Sequence, residues 1–346
     1  MIRVFVAGDA GLIRKPITRE LSRHADIEVV GASADPEAAL ERIGALRPDV
    51  VALEIELPRL DPLAFLEQVM KRHPVPVVAV SPPTPRGGEN AVRALALGAL
   101  DLVVTPGSGG APSDHELIHA VRAAAAVRRG TLRRIAAGPT ARLSEPRLSF
   151  EAAAYVIAVG ASTGGTQAVD AVVGALPANA PGTVLVQHLP APFVPAFVKR
   201  LDAIAAMQVR LACDGDPVSQ GVVLVAPGGK DMVVRREGAR CVIRFVRSDP
   251  VRQHRPSVNA LFESVAESAG RNAVGVLLTG MGTDGARGLL AMRGAGARTF
   301  VQDEESCVVF GMPGEALRIG AATEAVPLRE LASRVLQSVR PGKARR

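Results

Sequence analysis

Three turns in the second half of the chain each end an apolar run, and each carries a different reactive group. Ser162 lies in Gly160-Ala161-Ser162-Thr163-Gly164-Gly165 after YVIAV, His188 follows TVLVQ, and Asp284 lies in Gly280-Met281-Gly282-Thr283-Asp284-Gly285 after AVGVLLT. A hydroxyl, an imidazole and a carboxylate are the parts of a nucleophilic hydrolase. Ser162 would attack, His188 would act as base and then acid, and Asp284 would orient the ring and stabilise its cation. The small residues around Ser162 allow a sharp bend that leaves its hydroxyl at a helix N-terminus, where backbone N–H groups favour the negative charge of an oxyanion.

Each residue alone also has a plain structural reading, a glycine turn or a satisfied packing histidine. A phosphate loop fits poorly, because Gly160, Gly164 and Gly165 match neither G-x-G-x-x-G nor G-x-x-x-x-G-K-[ST]. A dinucleotide site would also want an acidic residue where His188 stands. The order Ser–His–Asp is not that of the α/β-hydrolases, and Ser162 is not in G-x-S-x-G. From residue types and placement, a triad and a set of structural turns both stay open.

These groups need a scaffold, and the hydrophobic pattern supplies one. In the second half, short apolar runs at Tyr155–Val159, Thr183–Gln187, Val222–Ala226, Ala273–Thr279 and Arg298–Val301 alternate with helical stretches. Asp231–Val246 alternates more loosely, as an antiparallel excursion would. The first half repeats the rhythm, with strands at Ile2–Ala7, Glu28–Ser33, Val50–Ile55, Val75–Val80 and Leu102–Val104, and helices that include Pro36–Ile43, Pro62–Arg72 and Asn90–Leu97. Continuous apolar strands separated by helices predict parallel sheets covered on both faces. Both halves are therefore expected to be α/β: two doubly wound, open parallel-sheet domains joined by a linker. In such sheets, sites form beyond the carboxyl ends of the strands, where Ser162, His188 and Asp284 would stand.

Composition narrows the partners. The net charge of +7 is concentrated in Arg128, Arg129, Arg133, Arg134, Arg142 and Arg147, and in a tail with Lys343, Arg345 and Arg346. That places it on a connector and an end rather than in a groove, and a solvated face is the plainer reading. Aromatics are only 3% of the chain, with no Trp, so a stacking platform for single-stranded nucleic acid is poorly supplied. No apolar run approaches the roughly 18 residues of a membrane span. Cys213, Cys241 and Cys307 lack CxxC spacing and read as reduced thiols. Met1 leads straight into a strand-like run with no signal-peptide pattern, so a cytoplasmic location is expected, with no nucleic acid and no membrane insertion.

The motifs GASTGG, VQHLP, HRPSVN, LLTGMGTDGA and SCVVFGMPGEA, in this order over roughly 153–338, resemble the catalytic domain of the chemotaxis protein-glutamate methylesterase (CheB) family. The resemblance implies a Rossmann-like methylesterase domain with Ser162, His188 and Asp284 as its triad. It also implies an oxyanion site at the GMG turn, formed by the Met281 N–H with Thr163 beside the nucleophile. His254 and Cys307 carry no catalytic role over. The implied reaction is hydrolysis of glutamate methyl esters, and deamidation of glutamines, on methyl-accepting chemoreceptors, with no metal or organic cofactor. The chemosensory kinase and adaptor proteins are further candidate partners. The alternative is a non-catalytic chemosensory scaffold, against which every triad position and its flanking glycines are intact.

Residues 1–106, with PDVVALEIELPRLD, resemble the flavodoxin-like receiver domain that precedes the catalytic domain in that family. A working receiver binds Mg²⁺ through two acidic residues after its first strand and an Asp after its third, and contacts the phosphoryl group through a Ser or Thr and a Lys. Those positions are Gly8, Asp9, Glu54, Ser81 and Thr105 here. One hard oxygen ligand, the acceptor Asp and the phosphoryl-holding cation are missing. The expectation is a degenerate receiver that neither binds Mg²⁺ tightly nor accepts phosphate, with Glu54 as a partial mimic of phospho-aspartate. The expected division is receiver-like 1–106, a final receiver helix and basic linker 107–150, catalytic 151–340 and basic tail 341–346.

Overall fold

The computed structural model describes residues 1–8, 14–56, 61–105, 114–127, 155–246 and 255–339. Asp9, His254, most of the basic linker and the basic tail lie outside these. The described residues form two compact units, one up to residue 127 and one from residue 155.

In the first unit, β1 (Ile2–Ala7), β2 (Ile27–Ser33), β3 (Val50–Glu54), β4 (Val77–Ser81) and β5 (Asp101–Val104) make a five-stranded sheet in the order β2-β1-β3-β4-β5. All pairings are parallel. Strands β3 and β4 are buried along their whole length, which is why they read as mostly apolar runs that end in Glu54 and Ser81. The helices are α1 (Lys15–Leu21), α2 (Pro36–Leu46), α3 (Pro62–Arg72), α4 (Pro85–Ala96) and α5 (Asp114–Ala125). Asp35 caps α2 by accepting from the Ala38 N–H at 2.8 Å, and Asp61 caps α3 by accepting from Leu63 at 3.0 Å. Helix α4 starts five residues before the expected Asn90. Thr84 caps it, accepting from the Gly87 N–H at 2.9 Å, and Pro85 suits the first turn although Gly87 and Gly88 weaken the helical pattern.

The second unit holds a seven-stranded sheet in the order β14-β13-β12-β6-β7-β9-β8. Its strands are β6 (Val156–Ala161), β7 (Gly182–Gln187), β8 (Gln208–Leu211), β9 (Val222–Val225), β12 (Ala273–Leu277), β13 (Arg298–Gln302) and β14 (Glu324–Val326), all parallel. Strands β10 (Asp231–Glu237) and β11 (Arg240–Val246) form a separate antiparallel hairpin. The edge strands β8 and β14 were not expected from the sequence; they are short and partly exposed and carry little apolar signal. The helices are α6 (Gly165–Val173), α7 (Val194–Ile204), α8 (Val258–Ala269), α9 (Ala286–Gly294), α10 (Met312–Arg318) and α11 (Leu328–Ser338).

The first strand of this unit lies at the centre of its sheet. From β6 the chain passes to β7, crosses to the edge strand β8 and comes back to β9 between them, then returns to β12 and winds the other way through β13 and β14. The reversal puts the topological switch point at the carboxyl ends of β6 and its neighbours, where open α/β sheets bind ligands. Helices α8 and α9 pack closely because Gly288 has no side chain; a Cβ there would come within 2.6 Å of Phe262 Cβ. The core around Phe262, Leu261, Val265, Leu289 and Met292 is fully buried, and each such side chain contributes roughly 1.5–3 kcal/mol by burial. That core fixes the two helix N-termini that frame the site.

Candidate functional site

Strands β12, β6 and β7 are neighbours, and their exits carry Asp284, Ser162 and His188 in that spatial order. Gln187 pairs with Ala161 in the parallel register, and the His188 N–H donates to the Ala161 carbonyl at 2.9 Å. The Ser162 N–H donates to the Thr279 carbonyl at 3.0 Å, which ties the serine to the exit of β12. Ser162 and Thr163 are 7% and 4% exposed, so the serine stands in a sheltered position.

Backbone geometry makes this close approach possible. The Ser162 carbonyl accepts from the Gly165 N–H at 2.7 Å, closing a tight turn that launches α6, and Gly164 within it has φ +71°. Across the turn, a Cβ on Gly280 would fall 2.6 Å from Ser162 Cβ and 2.3 Å from Met312 Sδ. Only glycine lets the GMG turn lie against the serine. Gly280 is fixed in turn by Val309 and Met312, its N–H donating to the Val309 carbonyl at 3.1 Å and its carbonyl accepting from the Met312 N–H at 2.9 Å. Thr279 completes the stitching: its hydroxyl donates to the Thr163 carbonyl at 3.1 Å and accepts from the Val309 N–H at 2.9 Å. Among the described residues, nothing accepts the Met281 N–H one position beyond this contact.

His188 Nε2 lies 3.0 Å from Asp284 Oδ2, and the two side chains are 8% and 13% exposed. Asp284 is held by more than the ring. Its carboxylate accepts from the Ser257 hydroxyl at 3.0 Å and from the N–H groups of Val258 at 2.7 Å, Asn259 at 3.0 Å and Gly285 at 3.0 Å. Three of these donors form the N-terminus of α8, where the helix dipole favours an anion. Burial alone would push the carboxyl group up, but the hydrogen bond and charge of His188 and the N–H groups of Asn259 and Val258 outweigh it and hold the group well below the usual carboxylate range. An ionised Asp284 fixes the tautomer, since Nε2 must carry a proton to donate to it.

The donors at the start of α8 escaped the sequence reading. Ser257 and Asn259 stand inside HRPSVN, and Ser257 followed by an apolar helical pattern is an N-cap signal; nothing local tells which carboxylate the cap will meet. Asp231 at the start of β10 accepts from the Ser257 N–H at 2.8 Å and so anchors the cap. Cys307 is buried and donates weakly to the Gln302 carbonyl at 3.7 Å, and burial and the neighbouring Asp303 and Glu304 charges push its thiol up.

In the first unit, Glu54, Ser81 and Thr105 stand at the carboxyl ends of β3, β4 and β5 and are buried. Gly8 follows β1, and Glu54 points at it: a Cβ on Gly8 would lie 2.8 Å from Glu54 Oε2 and 3.2 Å from Glu54 Cβ. The room that a side chain at position 8 would need is taken by the Glu54 carboxylate. The Ser81 hydroxyl donates to the Pro82 carbonyl at 3.2 Å, and the Thr105 N–H donates to the Ser81 carbonyl at 3.0 Å. Among the described residues, no three His, Cys, Asp or Glu side chains cluster to hold a metal ion.

Residues 157–335 match the CheB methylesterase family, and residues 4–110 match the response regulator receiver domain. The protein-glutamate methylesterase/protein-glutamine glutaminase of Bordetella bronchiseptica is 48% identical over 340 residues, covering 97% of this chain and 96% of the relative. Protein-glutamate methylesterase/protein-glutamine glutaminase 2 of Syntrophus aciditrophicus is 44% identical over 343 residues, covering 98% and 99%. The crystal structure of the Thermotoga maritima CheB methylesterase catalytic domain superposes with a TM-score of 0.52 at 31% identity, covering 53% of this chain and 97% of that one.

Proposed function

The chain belongs to the CheB methylesterase family, and on that premise we propose that Ser162, His188 and Asp284 carry out its hydrolysis. The enzyme is a protein-glutamate methylesterase/protein-glutamine glutaminase. Chemoreceptor side chains are its substrates, and its place is the cytoplasm. The chemosensory kinase and adaptor proteins are the partners this reading adds.

The observation that carries the assignment is the 3.0 Å bond between His188 Nε2 and Asp284 Oδ2, made between the exits of β7 and β12 on either side of the strand that carries Ser162. With Nε2 committed to Asp284, Nδ1 is the nitrogen that takes the Ser162 proton. Ser162 Oγ then attacks the ester carbonyl, and the oxyanion forms at the start of α6, beside the Met281 N–H and Thr163. Nδ1 returns the proton to the departing methoxide oxygen, giving methanol, or to the departing amide nitrogen, giving ammonia, when the substrate is glutamine. Water, deprotonated by the same nitrogen, next attacks the acyl-enzyme and releases glutamate and free Ser162. Asp284 keeps its charge throughout and stabilises the imidazolium at each transfer. Methanol release from methylated receptor membranes tests this: Ser162→Ala should abolish it, undiminished release from that variant would overturn the triad, and no release from the wild type would leave only a scaffold role.

The receiver-like unit, in this reading, does not run a phosphorylation cycle. The Mg²⁺ that such domains use does not fit the residues present. Position 8 offers no side-chain oxygen, and the Glu54 carboxylate lies where a side chain there would be. Thr105 supplies no cation for a phosphoryl group. Its control over the catalytic unit is therefore fixed or exerted by a partner. Comparing residues 150–346 with the full chain in the same methanol assay tests for restraint; equal rates would mean there is none.

A further inference from the structure

Two residues of the family motifs have no part in the chemistry above: Gln187, before the histidine, and Gly165, the second glycine after the serine. Gln187 is only 5% exposed, and its Nε2 donates to two carbonyls, that of Ser162 at 2.9 Å and that of His188 at 3.2 Å. One side-chain nitrogen thus spans the main chains of the nucleophile and the base. The amide can point only one way, since turning it over would set Oε1 against both carbonyl oxygens. On its other side Oε1 lies over Gly165, where a Cβ would come within 2.5 Å of it and within 2.7 Å of Ala161 Cβ.

From this geometry we infer that Gln187 is a positioning residue for the hydrolysis, clamping Ser162 and His188 at one fixed separation, and that Gly165 is glycine to seat the clamp. The inference rests on Ser162 and His188 acting as nucleophile and base. The chemistry of the side chain fits the task. Two donors on one nitrogen, with no charge, are what a buried site facing two carbonyls requires, and a lysine or arginine would add the cost of a buried cation. The Ser162 carbonyl already accepts the Gly165 N–H at 2.7 Å. The amide fills its second acceptor position and locks the turn that aims the hydroxyl. The bond to the His188 carbonyl fixes the exit of β7, and with it the origin of the ring.

Gln187→Met keeps the bulk and removes both donors. Its kcat for methanol release should fall about tenfold or more, as small misplacements of reacting groups do, while KM for receptor membranes stays within about twofold. Labelling of Ser162 by a fluorophosphonate should slow by the same factor. Gly165→Ala pushes on the amide without altering it, and on Ala161 Cβ as well, and should give the same pattern, which covers the case in which Gln187→Met does not fold. A loss expressed in KM alone, or wild-type kcat and labelling in either folded variant, would overturn the inference. Ser162→Ala, run alongside, separates the failures: if it stays active the triad reading falls, and if it is dead while Gln187→Met is fully active only the clamp falls.

Discussion

Ser257 Oγ lies 3.0 Å from Asp284 Oδ1, so the residue that caps helix α8 also restrains the carboxylate that holds His188. The same oxygen accepts from the Ala260 N–H at 3.3 Å, which makes it both a helix cap and a support of the site. Ser257→Ala should therefore do two separable things. Stability should drop by about 1 kcal/mol through the lost cap. The methanol-release kcat should drop by several-fold to about tenfold as the carboxylate loosens. Urea unfolding and turnover on the same preparation check both, and a stability loss with unchanged kcat would confine Ser257 to the helix.

The depressed Asp284 carboxyl makes a prediction about acid. A group held below its ordinary value of 3.8 stabilises the fold fully at higher pH, where folded and unfolded chains both carry the charge. As the pH falls below that value the unfolded chain takes up the proton first, and the contribution fades until the folded group is protonated too. The stability difference between wild type and Asp284→Asn should thus shrink steadily as the pH falls from about 5 to about 3. Urea midpoints across that range measure it; a difference that stays flat to about pH 3 would show that Asp284 is not held ionised.

Gly280 offers a steric test of how close the two turns are. A methyl group there meets Ser162 Cβ and Met312 Sδ well inside contact distance, so Gly280→Ala must move the serine, the GMG turn or both. The expected cost is about 1–3 kcal/mol of stability and about a hundredfold in kcat. Denaturation and methanol release read the two effects, and a variant with wild-type turnover would mean that the contact is not critical.

The sequence made the scaffold legible because parallel strands such as β4 and β7 are buried along their whole length and mostly apolar, and the three reactive residues sit where such strands end. What it hid was decided in space. Ser257 and Asp284 are 27 residues apart, and no local pattern links a helix cap to a distant carboxylate. Gln187 looks like an ordinary strand residue until the parallel register puts it beside Ala161. The edge strands β8 and β14 were hidden for a different reason: four and three residues, partly exposed, carry too little hydrophobic periodicity to stand out. In the receiver-like unit the departures at Gly8, Glu54 and Thr105 were visible as residue types. That Glu54 and Gly8 share one space was not.

That shared space leads to a last prediction. If the Glu54 carboxylate takes the room of a residue-8 side chain, the two positions are coupled and should be tested together. Gly8→Ala should cost about 1 kcal/mol in the wild-type background, because the new Cβ meets Glu54 Oε2 at 2.8 Å and Glu54 Cβ at 3.2 Å and the Glu54 side chain must shift. In a Glu54→Ser background the same substitution should cost much less, a coupling that a double-mutant cycle measures directly. Gly8→Asp should be worse than Gly8→Ala at neutral pH, since it adds a like charge beside a buried carboxylate. Converting both positions to Asp and Thr105 to Lys, with Asp9 already in the sequence, rebuilds the ligand set for a divalent cation. Mg²⁺ should then raise the unfolding midpoint of the triple variant, and a small-molecule phosphodonor should label it, while neither changes the wild type. A Mg²⁺-dependent shift or stable label in the wild type would mean that Glu54 gives way to the ion, and the receiver would have to be counted as competent.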